Sequence, residues 1–456
     1  MKKRLIASML TGVMALSLAA CGSSTSGSTE TKDASASEDT AAEETETAAE
    51  TETASTGSIS MSVSWWGNQT RNERTQQVLD TYGSENGITF DGQFSEWNDY
   101  WNKLATASAG HTLPDVVQMD YAYLQQYVSN GLLVDLTPYV EDGTLDVSNV
   151  SETVLNSGMV DGKLYAIPLG VNVPAVMYNK DLLDENGIEI HDNMTLDEFY
   201  DVCREVYEKT GYKTDIFYGN GADYCAYVLR GEGGQLYGDG EIGATQEQIE
   251  AFFEIYETGI AEGWACDPAI YAERTIGTPE QMPLVYGSSP STMSWCSFSW
   301  SNSLSALQNA AGDSFTIEMT TWPSKDPTAS NYLKPSQFFC ITVDSENQDE
   351  AAKLINYWTN DVEANKVLLG ERGIPISSEV SNSIKDLLDE SSQKATDFVN
   401  NVVTPNSSPI DAPSPEGSAE VIQAVNQLVE KVCYGEVTAE EAAAELISTG
   451  NAALSK

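Results

Sequence analysis

Residues 59–73 carry the pattern that most restricts the fold. Ile59, Met61, Val63 and Trp65 alternate with small or polar residues, so a strand here presents one apolar face. Directly after it, Thr70-Arg71-Asn72-Glu73 has capping-box spacing, and Val78, Leu79 and Tyr82 follow at helical intervals. A strand that hands over to a capped helix is half of a βαβ unit. The alternation recurs down the chain. Trp97, Trp101, Leu104, Ala105 and Ser108 form a helical stripe, and Pro114 precedes a short strand, Asp115–Met119. Capping boxes open further helices at Thr195–Glu198, Thr245–Gln248 and Thr438–Glu441. The first runs through Phe199, Val202 and Val206 to a stop at Gly211. Phe338–Val343 reads as a buried strand, with a helix over 349–358 behind it. The class is α/β, and no internal repeat is visible.

In open α/β sheets, ligands sit beyond the carboxyl ends of parallel strands, above helix N-termini. Two such loops can be read directly. Trp66-Gly67-Asn68-Gln69 follows the first strand, and Trp66 should project opposite to Trp65. Asp120-Tyr121 follows the second. Trp66, Asn68, Asp120 and Tyr121 are therefore candidate ligand contacts, with a cap or turn role as the alternative for Asn68. Arg71 falls in a first helical turn, where a cation opposes the helix dipole; either a partner or solvent accounts for it.

The N-terminus reads as an export signal. Lys2, Lys3 and Arg4 precede a short apolar run, Leu5–Leu18, and the small residues Ala19 and Ala20. The run is shorter than the roughly 20 residues a spanning helix needs. Leu18-Ala19-Ala20-Cys21 resembles the bacterial lipobox, which implies residues 1–20 as signal peptide and a lipid, palmitate included, on Cys21. Residues 21–57 follow as a tether. From Gly22 on they hold nine acids against one Lys and no aromatic or large aliphatic residue, so they cannot bury enough surface to offset the entropy of ordering.

The remaining ~400 residues exceed a usual single domain, so two lobes are expected. Lys and Arg number 23 against 69 Asp and Glu, a net charge of −46. Nucleic-acid binding, which needs clustered cations, is excluded as a main role. An acidic surface also disfavours anionic ligands and favours a neutral one. Beyond Cys21, the cysteines at 203, 225, 266, 296, 340 and 433 show no metal-like spacing. An exported protein can form disulfides, with fifteen possible pairings here, but scattered placement suits buried free thiols as well.

A set of ordered segments then points to a family: Trp65-Trp66-Gly67; Lys103-Leu104 through Leu113-Pro114-Asp115-Val116; Asn130–Thr137; Gly162–Pro168; Tyr178–Leu182; Met293 with Trp300; Trp322-Pro323; and Gly373-Ile374-Pro375. In this order, behind a lipobox, they resemble the extracellular solute-binding proteins of carbohydrate ABC importers (family 1, maltose-binding-protein-like). The resemblance covers nearly all of 59–456. It implies a two-lobed periplasmic-binding-protein-like fold of class II topology, with several hinge crossovers and a ligand cleft between the lobes. The implied N-terminal lobe is 58–169 plus 322–357, and the C-terminal lobe 170–321 plus 358–456. Crossings are expected near Pro168–Pro174, Thr320–Pro323 and Trp358. The implied partners are a small sugar and the importer's permease subunits, with the membrane reached through the lipid. A monomer without cofactor or metal is expected.

A sugar presents hydroxyl rims and apolar faces, so its site needs aromatic platforms with carboxylates, amides or Arg forks. Nine Trp and 21 Tyr fit this need. By resemblance, Trp97 is a cleft-edge aromatic, Trp300 stacks on sugar from the second lobe with Trp295 as its neighbour, and Trp322 is a ligand contact at the return hinge. Asn172 occupies the place of a ligand-contacting carboxylate, keeping hydroxyl bonding but dropping a charge. Arg372 precedes Gly373–Pro375, where the family lines the cleft; a surface ion pair with Glu371 is the alternative.

Catalysis is not expected. The two histidines, His111 and His191, have no partner motif, and HExxH, GxSxG and P-loop patterns are absent. The expected function is capture of a neutral mono- or oligosaccharide. The alternatives are a non-sugar solute such as a peptide or polyamine, and an acidic oligosaccharide should Arg71 and Arg372 both reach the cleft.

Overall fold

β1 (Ile59–Trp66) forms where the alternation predicts it, with Met61, Val63 and Trp65 fully buried. In this computed structural model residues 59–455 are described; the expected signal segment, Cys21 and the tether lie outside them. α1 (Gln69–Asn86) starts earlier than the Thr70 box predicts. Asn68 is the cap, its Oδ1 accepting from the Arg71 amide at 2.9 Å, which leaves Thr70 inside the helix. The helix stops at Gly87, whose φ of 70° is a left-handed conformation that glycine adopts without penalty.

β2 (Ile88–Ser95) and β3 (Val116–Met119) flank β1, both parallel to it. α2 (Trp97–Gly110) and α3 (Tyr121–Ser129) follow them. Phe338–Ile341 then joins β3 antiparallel, with Ile167–Pro168 at the far edge. A strand that returns from late in the chain into a parallel sheet is what a discontinuous lobe requires. The second sheet runs Ile317–Thr320, Pro174–Asn179, Ser294–Trp300, Lys213–Asp215. The helices Leu196–Thr210, Gly221–Gly231 and Gln246–Ala261 belong to this lobe, as do Ser418–Cys433 and Ala439–Leu454. The boxes at Thr195, Thr245 and Thr438 all close as predicted.

One core lies under the helices of the second sheet, and another runs from the first sheet to the second sheet's other face, where Ala175, Met177 and Ile317 join it. Phe199, Phe252, Trp295, Phe298 and Trp322 are fully buried in the second lobe. Val63, Trp65, Leu79, Phe339 and Ile355 are fully buried in the first. Each such side chain contributes about 1.5–3 kcal/mol relative to exposure. Between the lobes, Val171–Asn172 pairs antiparallel with Lys334–Pro335, and Ile374 bridges to Val171. The first crossing is therefore at 168–174.

Two expected boundaries move. Trp322 lies in the second-lobe core and its carbonyl accepts from Tyr227 at 2.7 Å, so the chain returns at Lys334–Phe338 rather than at 322. Trp358, Ala364 and Leu368 pack with Val78 and Leu79, and Arg74 donates to the Leu368 carbonyl at 2.7 Å. The chain therefore stays on the first lobe well past 358.

The six cysteines among the described residues are buried free thiols, which settles the alternatives left by their spacing. No described helix is long and apolar enough to cross a membrane.

Candidate functional site

On the first lobe, β1 ends by turning Trp66 outward while Trp65 stays in the core. The Trp66 ring meets Trp97 edge-on at 5.0 Å and Trp101 at 5.6 Å, and Trp101 stacks on Tyr123 at 3.9 Å. The result is an aromatic shelf whose outermost ring, Trp97, is 40% exposed. Asn68 is exposed but its side-chain oxygen is taken by the cap. Asp120 caps α3 in the same way, accepting from the Ala122 amide at 2.9 Å. Tyr121 stacks near Phe338 and donates its hydroxyl to the Asp411 carbonyl at 2.7 Å; burial and the Asp411 charge push its phenol up to about 12.

The loop behind Trp66 is braced from inside. Its carbonyl accepts from Arg71 at 3.1 Å and from the Gln118 amide at 3.2 Å. Arg71 grips Glu371 with two bonds of 2.9 and 2.8 Å. Its aliphatic stem lies against Gly67, where a Cβ would come within 2.3 Å of it. Arg372 is buried: its Nε donates to Gln118 Oε1 at 2.9 Å and an Nη to Thr75 at 2.8 Å, with its guanidinium 5.2 Å from the Trp358 ring centre. Desolvation, with Arg71 nearby, lowers its pKa to about 9. The expectation that both arginines reach a ligand is thus corrected. Arg71 donates to Glu371 and the Trp66 carbonyl and Arg372 to Gln118 and Thr75, while the other Nη of Arg372 is buried without a hydrogen-bond partner.

On the second lobe, Trp300 ends its strand half-buried, against Trp322 at 5.6 Å and Tyr332 at 6.2 Å. The Lys334 ammonium sits 4.3 Å from its ring centre, a cation–π geometry. Asn172 is the register partner of Lys334 across the hinge pair. Directly opposed residues share a face, so the amide stands beside this group. Trp295 and Trp322 are corrected from ligand neighbours to core. Trp295 is fully buried, its indole N–H bonded to Thr214 at 2.9 Å. Trp322, also fully buried, backs Trp300 from the interior.

Two adjoining hollows open beside Trp300 and Lys334. One, of about 270 Å³, is lined by Phe217, Tyr218, Asp223, Arg274 and Trp300. The other, of about 430 Å³, has Tyr121 of the first lobe facing Asp223, Tyr237, Tyr332 and Lys334. Asp223 belongs to both. Loss of solvent around its carboxyl pushes the pKa up, and Lys334 pulls it back down. Asp223 was missed in the sequence, although it lies in the first turn of a helix that follows a strand, the signal used for Tyr121. Lys334 had no signal, since only the hinge register brings it here.

Two α/β lobes joined by hinge strands, with Tyr121 of one facing Asp223 and Tyr332 of the other across a hollow, are the build of a solute-binding protein. The chain belongs to the bacterial extracellular solute-binding protein family, whose model matches residues 77–398. It is 32% identical over 145 residues to a diacetylchitobiose binding protein of Streptomyces coelicolor, covering 32% of this chain and 33% of that one. It is 25% identical over 249 residues to a galactooligosaccharide-binding protein of Bacillus subtilis, covering 54% and 50%. The matched stretches thus span a third to a half of these curated relatives. A family 1 extracellular solute-binding protein from Alicyclobacillus acidocaldarius superposes with a TM-score of 0.79 at 25% identity, over 87% of this chain and 99% of the other. An oligogalacturonide binding protein from Yersinia enterocolitica shares the fold, with a TM-score of 0.72 at 21% identity, over 87% and 99%.

Proposed function

We propose that the chain captures a neutral saccharide between its lobes and delivers it to the permease of an ABC importer, held at the extracytoplasmic membrane face by a lipid on Cys21. The observation that carries this reading is the hollow in which Tyr121 of one lobe faces Asp223, Tyr237 and Tyr332 of the other, with the Trp300 platform adjoining it. Aromatic faces suit sugar C–H faces, and a carboxylate suits vicinal hydroxyls. The curated relatives named for diacetylchitobiose and galactooligosaccharides support the class. Neutrality is supported by Arg71 and Arg372 being turned inward onto protein partners, and by Arg274, which lines the Trp300 hollow, donating to the Tyr286 and Thr292 carbonyls.

One observation favours an acidic saccharide instead: Lys334 is exposed beside the platform, with Asp223 as its counter-charge. Thermal shift and calorimetry with purified protein separate the two, because a ligand that binds only the native state raises apparent stability. Galactobiose, diacetylchitobiose, arabinobiose and digalacturonate are the probes. Binding of a neutral member is expected. Binding of digalacturonate alone would overturn neutrality, and no response to any sugar with a response to a peptide or spermidine would overturn the sugar class.

A further inference from the structure

Beyond the interlobe cleft, a third hollow of about 600 Å³ lies along the helix Ser418–Cys433. Tyr218, Tyr271 and Ile276 separate it from the Trp300 hollow. Tyr218 and Tyr271 stand nearly parallel, 4.3 Å apart at 11°, and both line both spaces, as does Ile276. Ile422 in turn lines this hollow and the one facing Tyr121. The three spaces therefore adjoin one another as a track around Asp223 and Tyr218 on the second lobe.

The third hollow has the make-up of a saccharide subsite. The helix presents Gln423, Asn426, Gln427 and Glu430 on its hollow-facing side, and Tyr434 stands beyond them, 53% exposed. Ile276 and Ile422 are 44% and 41% exposed, unusual for branched aliphatics unless something covers them. The Asn426 side chain is half-buried among these groups, its Oδ1 closed off from the hollow. The Glu430 charge helps raise the Tyr218 phenol, and both groups line this hollow. Amides and a carboxylate facing rings are the two components a sugar needs, and here they stand outside the space the two lobes enclose.

We infer that this track takes the additional units of an extended neutral oligosaccharide. The end unit would sit in the Trp300–Asp223 cleft and the chain would pass over Tyr218 onto the helix 418–433. The inference rests on the saccharide reading above and adds a chain length and a direction to it.

The test is calorimetry with galacto-, arabino- and chitooligosaccharides of two to six units, on the full soluble domain and two variants. One is Gln423→Ala with Gln427→Ala; the other is Tyr434→Ala. All three side chains are exposed, so the fold should hold, and melting temperatures check this. For the sugar series that binds, affinity is expected to rise at least about tenfold from two units to five. The variants should erase most of that gain while binding the two-unit sugar within about twofold of the parent. Affinity that levels off at two or three units would overturn the inference and leave sugar capture standing. A length gain that both variants retain would also overturn it. Failure of every series at every length would instead overturn the saccharide reading, and this extension with it.

Discussion

Tyr121 of the first lobe donates its hydroxyl to the main-chain carbonyl of Asp411 at 2.7 Å. Asp411 belongs to the second lobe in its attachments. Its carboxylate pairs with Arg230, whose guanidinium also donates to the carbonyls of Ser330 at 3.2 Å and Pro409 at 2.7 Å. One phenol thus spans the cleft mouth onto a segment anchored by a nearly buried arginine.

Tyr121→Phe keeps the ring against Phe338 and deletes the bridge. The bond is worth about 0.5–1.5 kcal/mol, so the lobes should separate more freely. Small-angle scattering of the ligand-free variant is expected to give a larger radius of gyration than the parent, with the melting temperature little changed. An identical scattering curve would show that the bond does not restrain the lobes.

Trp300→Ala removes the exposed platform and leaves Trp322 in place behind it. An aromatic platform of this kind carries about 2 kcal/mol or more of binding, so affinity should fall roughly 30-fold or further. Titration of a binding sugar followed by calorimetry checks this, with circular dichroism confirming the fold. Unchanged affinity would move the second-lobe platform elsewhere.

What could be read in advance divides along physical lines. Trp66 and Tyr121 were legible because each ends a parallel strand and precedes a helix, a local pattern. Trp295 was not separable from Trp300. Their strand is central in its sheet and buried almost throughout, so no alternation marks which ring faces out. Arg372 was equally opaque. Its partners Gln118 and Thr75 lie 254 and 297 residues away, and a buried brace looks like a surface ion pair until the chain is folded. The lobe boundaries failed for the same reason, since helices at 362–384 look alike whichever core receives them.

Arg372→Met tests the brace. The substitution leaves Gln118 Oε1 and the Thr75 hydroxyl without their donor in a site closed to water. Removing one member of a buried charged network costs about 3–5 kcal/mol, and urea unfolding should read that loss. Gln118 also supports the Trp66 carbonyl, so sugar affinity of the folded variant should drop too. Stability within about 0.5 kcal/mol of the parent would mean that the cavity collapses around Met, with the polar partners repaired from elsewhere.

Asp215 supplies the pH test. It is buried, accepts from Tyr271 at 2.5 Å and from Ser297 at 3.1 Å, and stands behind the Trp300 hollow. Desolvation raises its pKa above the ordinary 3.8, with the two hydroxyls opposing that shift. A carboxyl whose pKa is raised on folding binds its proton more tightly in the native state. Its stabilising contribution is complete below about 3.8 and is lost as pH climbs from there through the folded value. Asp215→Asn keeps the shape and the Tyr271 bond but cannot ionise. The difference in unfolding free energy, variant minus parent, should therefore rise with pH from about 4 upward and level off once the parent's Asp215 is ionised. Urea denaturation of both proteins at pH 4, 5, 6 and 7 measures it. A difference that stays flat across that range would mean that the Tyr271 and Ser297 bonds cancel the desolvation, leaving Asp215 ionised at little cost beneath the sugar platform.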